Sequence, residues 1–187
     1  MGLDISLRVN NDSEIITPEY FENRNLYSLS REFCNLMCRP GVIEHTPEFD
    51  QIGTITDIDI SHLYKMTEYP SDDEEIDMIE FAENEEEKER LKADFEKRKQ
   101  DLNGNINQVK ILVEKLIDSL EKIDNLYERL IKTDFDSMNS EYYFSDFNKD
   151  KGEGYIGNNF GQDMRNFKRF IDYAIDRNSE TIWFEYG

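Results

Sequence analysis

The sequence predicts an α+β fold: a small sheet from the N- and C-terminal strands, packed with helices, plus a long antiparallel helical hairpin. Three observations predict it. The first nine residues alternate, with Leu3, Ile5, Leu7 and Val9 to one side and Asp4, Ser6 and Arg8 to the other, the period of two that marks a half-buried strand. The chain ends on a second alternation, Ile182, Phe184 and Tyr186 against Trp183 and Glu185. Between them Ile106, Val109, Val113, Leu116, Leu120, Ile123, Tyr127 and Leu130 recur at spacings of three and four, a helical seam with no polar interruption.

The elements follow in order. Asn10-Asn11-Asp12-Ser13 is a polar turn cluster. Thr17-Pro18-Glu19 reads as an N-cap, a proline at the first helical position and an acid on the positive helix end, opening a short helix through Phe21. A second helix runs from about Ser28 to Arg39, with Leu29, Phe33, Leu36 and Met37 inward, and Pro40-Gly41 stops it. From Val42 to Pro70, Phe49, Ile52, Ile55, Ile58, Ile60 and Leu63 alternate with polar residues in short pieces, which predicts turns, one strand and a short helix capped by Asp59 or Ser61.

After Pro70 the composition changes. Asp72, Asp73, Glu74, Glu75, Asp77, Glu80, Glu83, Glu85, Glu86 and Glu87 are ten acids in a stretch without Lys or Arg. Like charges four apart on a helix repel, so this part is expected to be a frayed or disordered lead-in. Lys88 to Asp101 carries six basic and four acidic residues and is expected to be firmly helical. Phe81, Asn84, Lys88, Leu91, Phe95, Arg98 and Leu102 repeat the seam spacing with fewer apolar members. Asn103-Gly104-Asn105 is the right length to join two antiparallel helices. Residues 72–132 therefore read as an acidic lead-in and hairpin inserted in a single domain whose core is 1–70 and 133–187. The seam, as Val109, Val113, Leu116, Leu120, Ile123 and Tyr127, needs a further surface: the rest of the domain, or a second copy. Beyond Lys132 comes an aromatic loop region with Tyr142, Tyr143, Phe144 and Phe147, then four glycines between 152 and 161. A last helix is expected from Gln162 to Arg177, facing inward through Met164, Phe167, Ile171, Ala174 and Ile175.

Composition excludes several function classes. The 187 residues carry 22 Lys plus Arg against 42 Asp plus Glu, a net charge of −20. Binding to duplex DNA or an anionic leaflet requires a basic face, which this balance denies. Neither a run of ~20 apolar residues nor a basic-then-apolar leader occurs, so a protein of the cytoplasm is expected. Cys34 and Cys38, four apart on one helix, could close almost no loop as a disulfide.

Motifs for chemistry are weak. Gly152-Glu153-Gly154-Tyr155-Ile156-Gly157 matches a phosphate-binding glycine pattern, but no apolar strand leads into it and no helix opens on its last glycine, so it reads as a loop. Asp146, Asn148 and Asp150 begin like a calcium loop, yet Lys151 stands where glycine belongs and Gly157 where the bidentate glutamate belongs. Cys34, Cys38, His45 and His62 could supply four zinc ligands, but the histidines are 17 apart. No nucleophile motif is present. The prediction is no cofactor, no metal, no catalytic residue and no enzymatic activity.

Met1-Gly2-Leu3-Asp4, Leu29-Ser30-Arg31-Glu32-Phe33-Cys34-Asn35, Asp50-Gln51-Ile52-Gly53 and Asp59-Ile60-Ser61 resemble a loose group of small proteins carried by phages and mobile elements. The likeness spans roughly the first 70 residues and implies a mobile-element origin; it transfers no site. The Asn-, Ile-, Lys- and Glu-rich usage fits an AT-rich bacterial host. An anionic surface of this strength is drawn to the basic channels that hold DNA or RNA, where carboxylates can take the place of phosphates on arginine. The expectation is thus an acidic inhibitor of a basic host defence protein, a CRISPR nuclease or restriction enzyme, acting through the ten acids from Asp72 to Glu87. Its alternatives are an oligomer joined by the 106–130 seam, or a small metal-dependent enzyme.

Overall fold

In a computed structural model, residues 4–40, 45–131 and 141–187 are described; Leu3, Gly41 and Lys132, named above, lie outside them. The two chain ends meet. β1 (Ile5–Val9) and β2 (Ile182–Tyr186) pair antiparallel with Leu7 opposite Phe184, as the two alternations require. Ile5, Leu7, Val9, Ile182 and Phe184 face the core. On the outer face Arg8 reaches Glu185 across the strands and Asp12 beyond them.

Asp12–Ile15 forms one helical turn, α1, where a turn cluster was expected. α2 (Pro18–Glu22) starts as predicted, Thr17 accepting the Tyr20 N–H and Pro18 in the first turn. α3 (Arg31–Cys38) is capped by Ser30 and buries Phe33, Cys34, Leu36 and Met37. α4 (Glu48–Thr56) and α5 (Ser61–Lys65) follow. The strand expected between Val42 and Pro70 is absent among the described residues. Phe49 and Ile52, three apart, are both fully buried on α4, so what looked like alternation is one helical face. Asp57, at φ 55°, ends that helix, and Asp59 accepts the Ser61 N–H at the entry to α5.

The segment from 72 to 132 departs most from expectation. It opens with α6 (Asp72–Glu80) and α7 (Glu85–Leu102), so the acidic stretch is helical where fraying was predicted. The hairpin expected across Asn103-Gly104-Asn105 does not close; α7 packs instead with α6 in a hairpin of different helices, Glu74 meeting Arg98 and Glu75 meeting Lys99. α8 (Ile106–Leu120) turns its stripe away from α7 and packs along α11 (Phe160–Ile175), with further contact to α4. Val109, Val113, Leu116 and Leu120 are no more than 1% exposed, and Ile123 and Tyr127 lie partly buried against the same core. The seam is therefore spent inside the chain and offers nothing to a second copy. The long helix expected through Leu130 breaks after Leu120. Asn125 takes a left-handed conformation (φ 54°), which asparagine tolerates, and α9 (Leu126–Arg129) restarts beyond it.

The Asn103-Gly104-Asn105 link is anchored to the sheet. The Asn105 amide donates to the Ile182 carbonyl and accepts its N–H, each at 2.8 Å, so one side chain closes that part of the β2 edge. α10 (Glu141–Phe144) places Tyr143 and Phe144 in the core, and α11 runs through its centre, burying Phe160, Met164, Phe167, Phe170, Ile171 and Ala174.

Candidate interaction surface

The hairpin of α6 and α7 holds all ten predicted acids. Asp72, Asp73, Glu74 and Glu75 fill the first turn of α6; Glu85, Glu86 and Glu87 fill the first turn of α7; Asp77 and Glu80 lie farther along α6, and Glu83 in the link between the helices. Seven of the ten therefore sit on positive helix ends, where the macrodipole offsets their mutual repulsion. Capping adds to this. Ser71 Oγ accepts the Glu74 N–H at 3.1 Å and Asn84 Oδ1 the Glu87 N–H at 2.9 Å, while Glu87 accepts the Glu83 N–H at 2.9 Å. Each bond satisfies a donor that a helix start leaves open.

Cations along α7 neutralise only part of this charge. Arg98 pairs with Glu74 and also donates to the Glu68 carbonyl, Lys99 pairs with Glu75, Lys88 with Glu85 and Arg90 with Glu87. Asp72, Asp73, Asp77, Glu80, Glu83 and Glu86 form no ion pair among the described residues, and all six are exposed. At the base of the hairpin a groove of about 560 Å³ runs between the outer sheet face and the start of α6. Its floor is Tyr69 stacked on Trp183 at 4.0 Å. Its cations, Arg8 and Lys99, already serve Glu185, Asp12 and Glu75. Asp72 and Asp73 stand on its rim, so the groove extends the anionic surface.

The other sequence candidates are not assembled into sites. Among the described residues no group of three or more His, Cys, Asp or Glu side chains is placed to share a metal ion. Burial, and next the neighbouring Cys38, pushes the Cys34 thiol up to about 12, which keeps it protonated. Asp146 faces Lys149 and Lys151, and Asp150 faces Arg165 and Arg169, so the carboxylates of the calcium-like run are matched by cations. In the glycine loop, Gln162 Oε1 accepts the N–H groups of Lys151 and Gly152 at 2.9 and 2.8 Å, and its amide donates to the Gly152 carbonyl. With the Glu153 N–H bonded to the Ile156 carbonyl, the first donors of the loop are used within the fold.

Sequence reasoning missed a buried polar cluster at the start of α11. Asp163 is fully buried; Oδ1 accepts from the Ser30 N–H (3.0 Å) and the Asn158 amide (2.8 Å), and Oδ2 from the Ser30 hydroxyl (2.5 Å) and the Tyr143 hydroxyl (3.0 Å). Burial pushes its carboxyl up to about 7, and the four donors keep it from rising farther. Asn166 donates to the carbonyls of Asn25 and Ser28. Together these groups fasten α3, α10 and the glycine loop to α11. No helix among the described residues is long and apolar enough to cross a membrane. Comparison with known protein families, curated proteins and solved structures finds no match.

Proposed function

We propose that this chain is an acidic interaction protein, carried by a phage or other mobile element, that engages the basic channel of a host nucleic-acid-handling protein such as a guided or cleaving nuclease. It acts by occupying that channel, with no bond made or broken on it. One observation carries the reading: six exposed, unpaired carboxylates are held in order, five on two capped helices and Glu83 in the link between them. A disordered acidic run would lose conformational entropy on binding; here the charges are already ordered. α6, which carries four of the six, has 9 residues and so spans roughly 14 Å, about the length of four base-pair steps at 3.4 Å each. Carboxylates along such a rod can meet arginines that otherwise hold phosphates.

The test uses host nucleases retained on a cation exchanger, each assayed for cleavage of a labelled oligonucleotide with the chain added. The expected result is inhibition of at least one nuclease that weakens as salt shortens the Debye length below ~8 Å. A variant with Asp77→Asn, Glu80→Gln, Glu83→Gln and Glu86→Gln should lose it. These four positions spare the paired acids that hold the hairpin together. Inhibition that is unaltered by both salt and neutralisation would overturn the reading.

A further inference from the structure

We infer that the hairpin carries an apolar anchor, Phe81 with Met78, that seats in an apolar pocket ringed by arginine or lysine on a partner protein; this rests on the acidic-surface reading above. The seam spacing had placed Phe81 inside a helical interface. Instead it is 81% exposed, at the turn between α6 and α7, with Ile76 at 61% and Met78 at 44%. Met78 and Phe81, three apart, lie on one side of α6 and form the patch, whereas Ile76, two before Met78, faces away from them. Burying such a side chain is among the larger single gains in association, and a central aromatic within a polar rim is the usual form of a binding hot spot.

Charge decides what can cover them. Asp77, Glu80, Glu83 and Glu86 flank Phe81 and are unpaired. Nucleic acid, an anionic bilayer leaflet and a second copy of this hairpin all bring negative charge to that collar and are repelled. A cationic protein surface is attracted. The hairpin itself shows the local chemistry, since Arg98 lies 5.7 Å from the centroid of the Phe95 ring, a cation–π contact. A partner arginine can treat Phe81 in the same way. Binding should therefore have two parts, one that salt weakens and one that it does not.

Two synthetic peptides of equal charge serve as probes, an amphipathic Lys/Leu repeat and an oligolysine, titrated by fluorescence anisotropy at 50 and 500 mM NaCl. The expected result is that both bind at low salt and only the Lys/Leu peptide persists at high salt. Phe81→Ser, and separately Met78→Ser, should weaken the Lys/Leu peptide about tenfold and leave oligolysine unchanged, with helix content by circular dichroism as in the parent. Oligolysine binding intact, with the Lys/Leu peptide indifferent to both substitutions, overturns the anchor and spares the acidic surface. Failure of both peptides at 50 mM overturns the acidic surface, and the anchor with it.

Discussion

Replacing Asp163 separates the hydrogen-bonding role of that side chain from its charge. In Asp163→Asn the amide oxygen can take the place of Oδ1, where the Ser30 N–H and the Asn158 amide can only donate. The new amide nitrogen then faces the Ser30 and Tyr143 hydroxyls, and both can rotate to accept. The four contacts can re-form, but the Ser30 and Tyr143 O–H protons lose their carboxylate acceptor, so a cost of about 2 kcal/mol is expected. Asp163→Leu removes every acceptor and strands four buried donors, so a loss of about 4 kcal/mol is expected, within the range for breaking a buried, fully partnered polar group.

The charge shows in the pH dependence. The folded state binds this proton more tightly than the unfolded chain, about 7 against the ordinary 3.8. The resulting stability is fully present below the unfolded value and disappears as pH rises through about 7. At about 1.36 kcal/mol per pH unit, the parent should lose about 3 kcal/mol from this group between pH 5 and pH 8.5. Asp163→Asn, which does not titrate, should lose none of it. Urea unfolding of both proteins across that interval, followed by Trp183 fluorescence and far-ultraviolet circular dichroism, measures the difference. Parallel stability curves for the two proteins would show that Asp163 keeps an ordinary carboxyl in the fold and would refute the reasoning.

Three further outcomes follow from particular contacts. Gly161→Ala, which in an open helix would gain about 1 kcal/mol, should instead lose at least about 2 kcal/mol in urea unfolding, because a Cβ there would sit 1.9 Å from the Phe147 carbonyl oxygen. Asn105→Ala should cost about 2 kcal/mol and speed amide hydrogen exchange at Ile182, whose N–H and carbonyl both lose their partner. Leu116→Ala, at a fully buried position, should cost about 3 kcal/mol while leaving the mass by light scattering unchanged; a fall in mass would restore the seam as an interface between copies.

The terminal sheet was legible because strand alternation is local and both strands bury one face. The helix start at Thr17 was legible for the same reason, a cap followed by an apolar face, whereas the second helix was expected from Ser28 and starts at Arg31 behind the Ser30 cap. Asn84 and Asn159 were equally available, each three residues before a side chain suited to completing a cap, Glu87 and Gln162. Reading the acidic stretch as charge alone hid the first, and starting the last helix at Gln162 hid the second. The partner of the α8 stripe could not be read at all. Val109, Val113, Leu116 and Leu120 make the same seam whether it faces α7, α11 or another chain, and only tertiary packing selects α11. Asp163 escaped notice because a buried acid among 42 has no local signature; its partners Ser30, Tyr143 and Asn158 come from three separate segments.

The hairpin divides its acids into two sets with different physical work. Glu74, Glu75, Glu85 and Glu87 have cations beside them, and Glu74 and Glu87 also lie where the caps deliver their N–H groups. Removing them should loosen the hairpin. Asp77, Glu80, Glu83 and Glu86 lie outside the two first turns or lack a cation among the described residues, and they add to the self-repulsion of a chain at −20. Folding gives Asp77, Glu80 and Glu83 no use for their charge, and Glu86 gains only the weak pull of the positive end of α7. Neutralising this second set should leave helix content and the urea midpoint unchanged or raised, most clearly at low salt, while the corresponding substitutions at Glu74 and Glu75 lower both. If the two sets behave alike, the carboxylates act as one solvated field, and the case for a surface kept free for a cationic partner loses its structural basis.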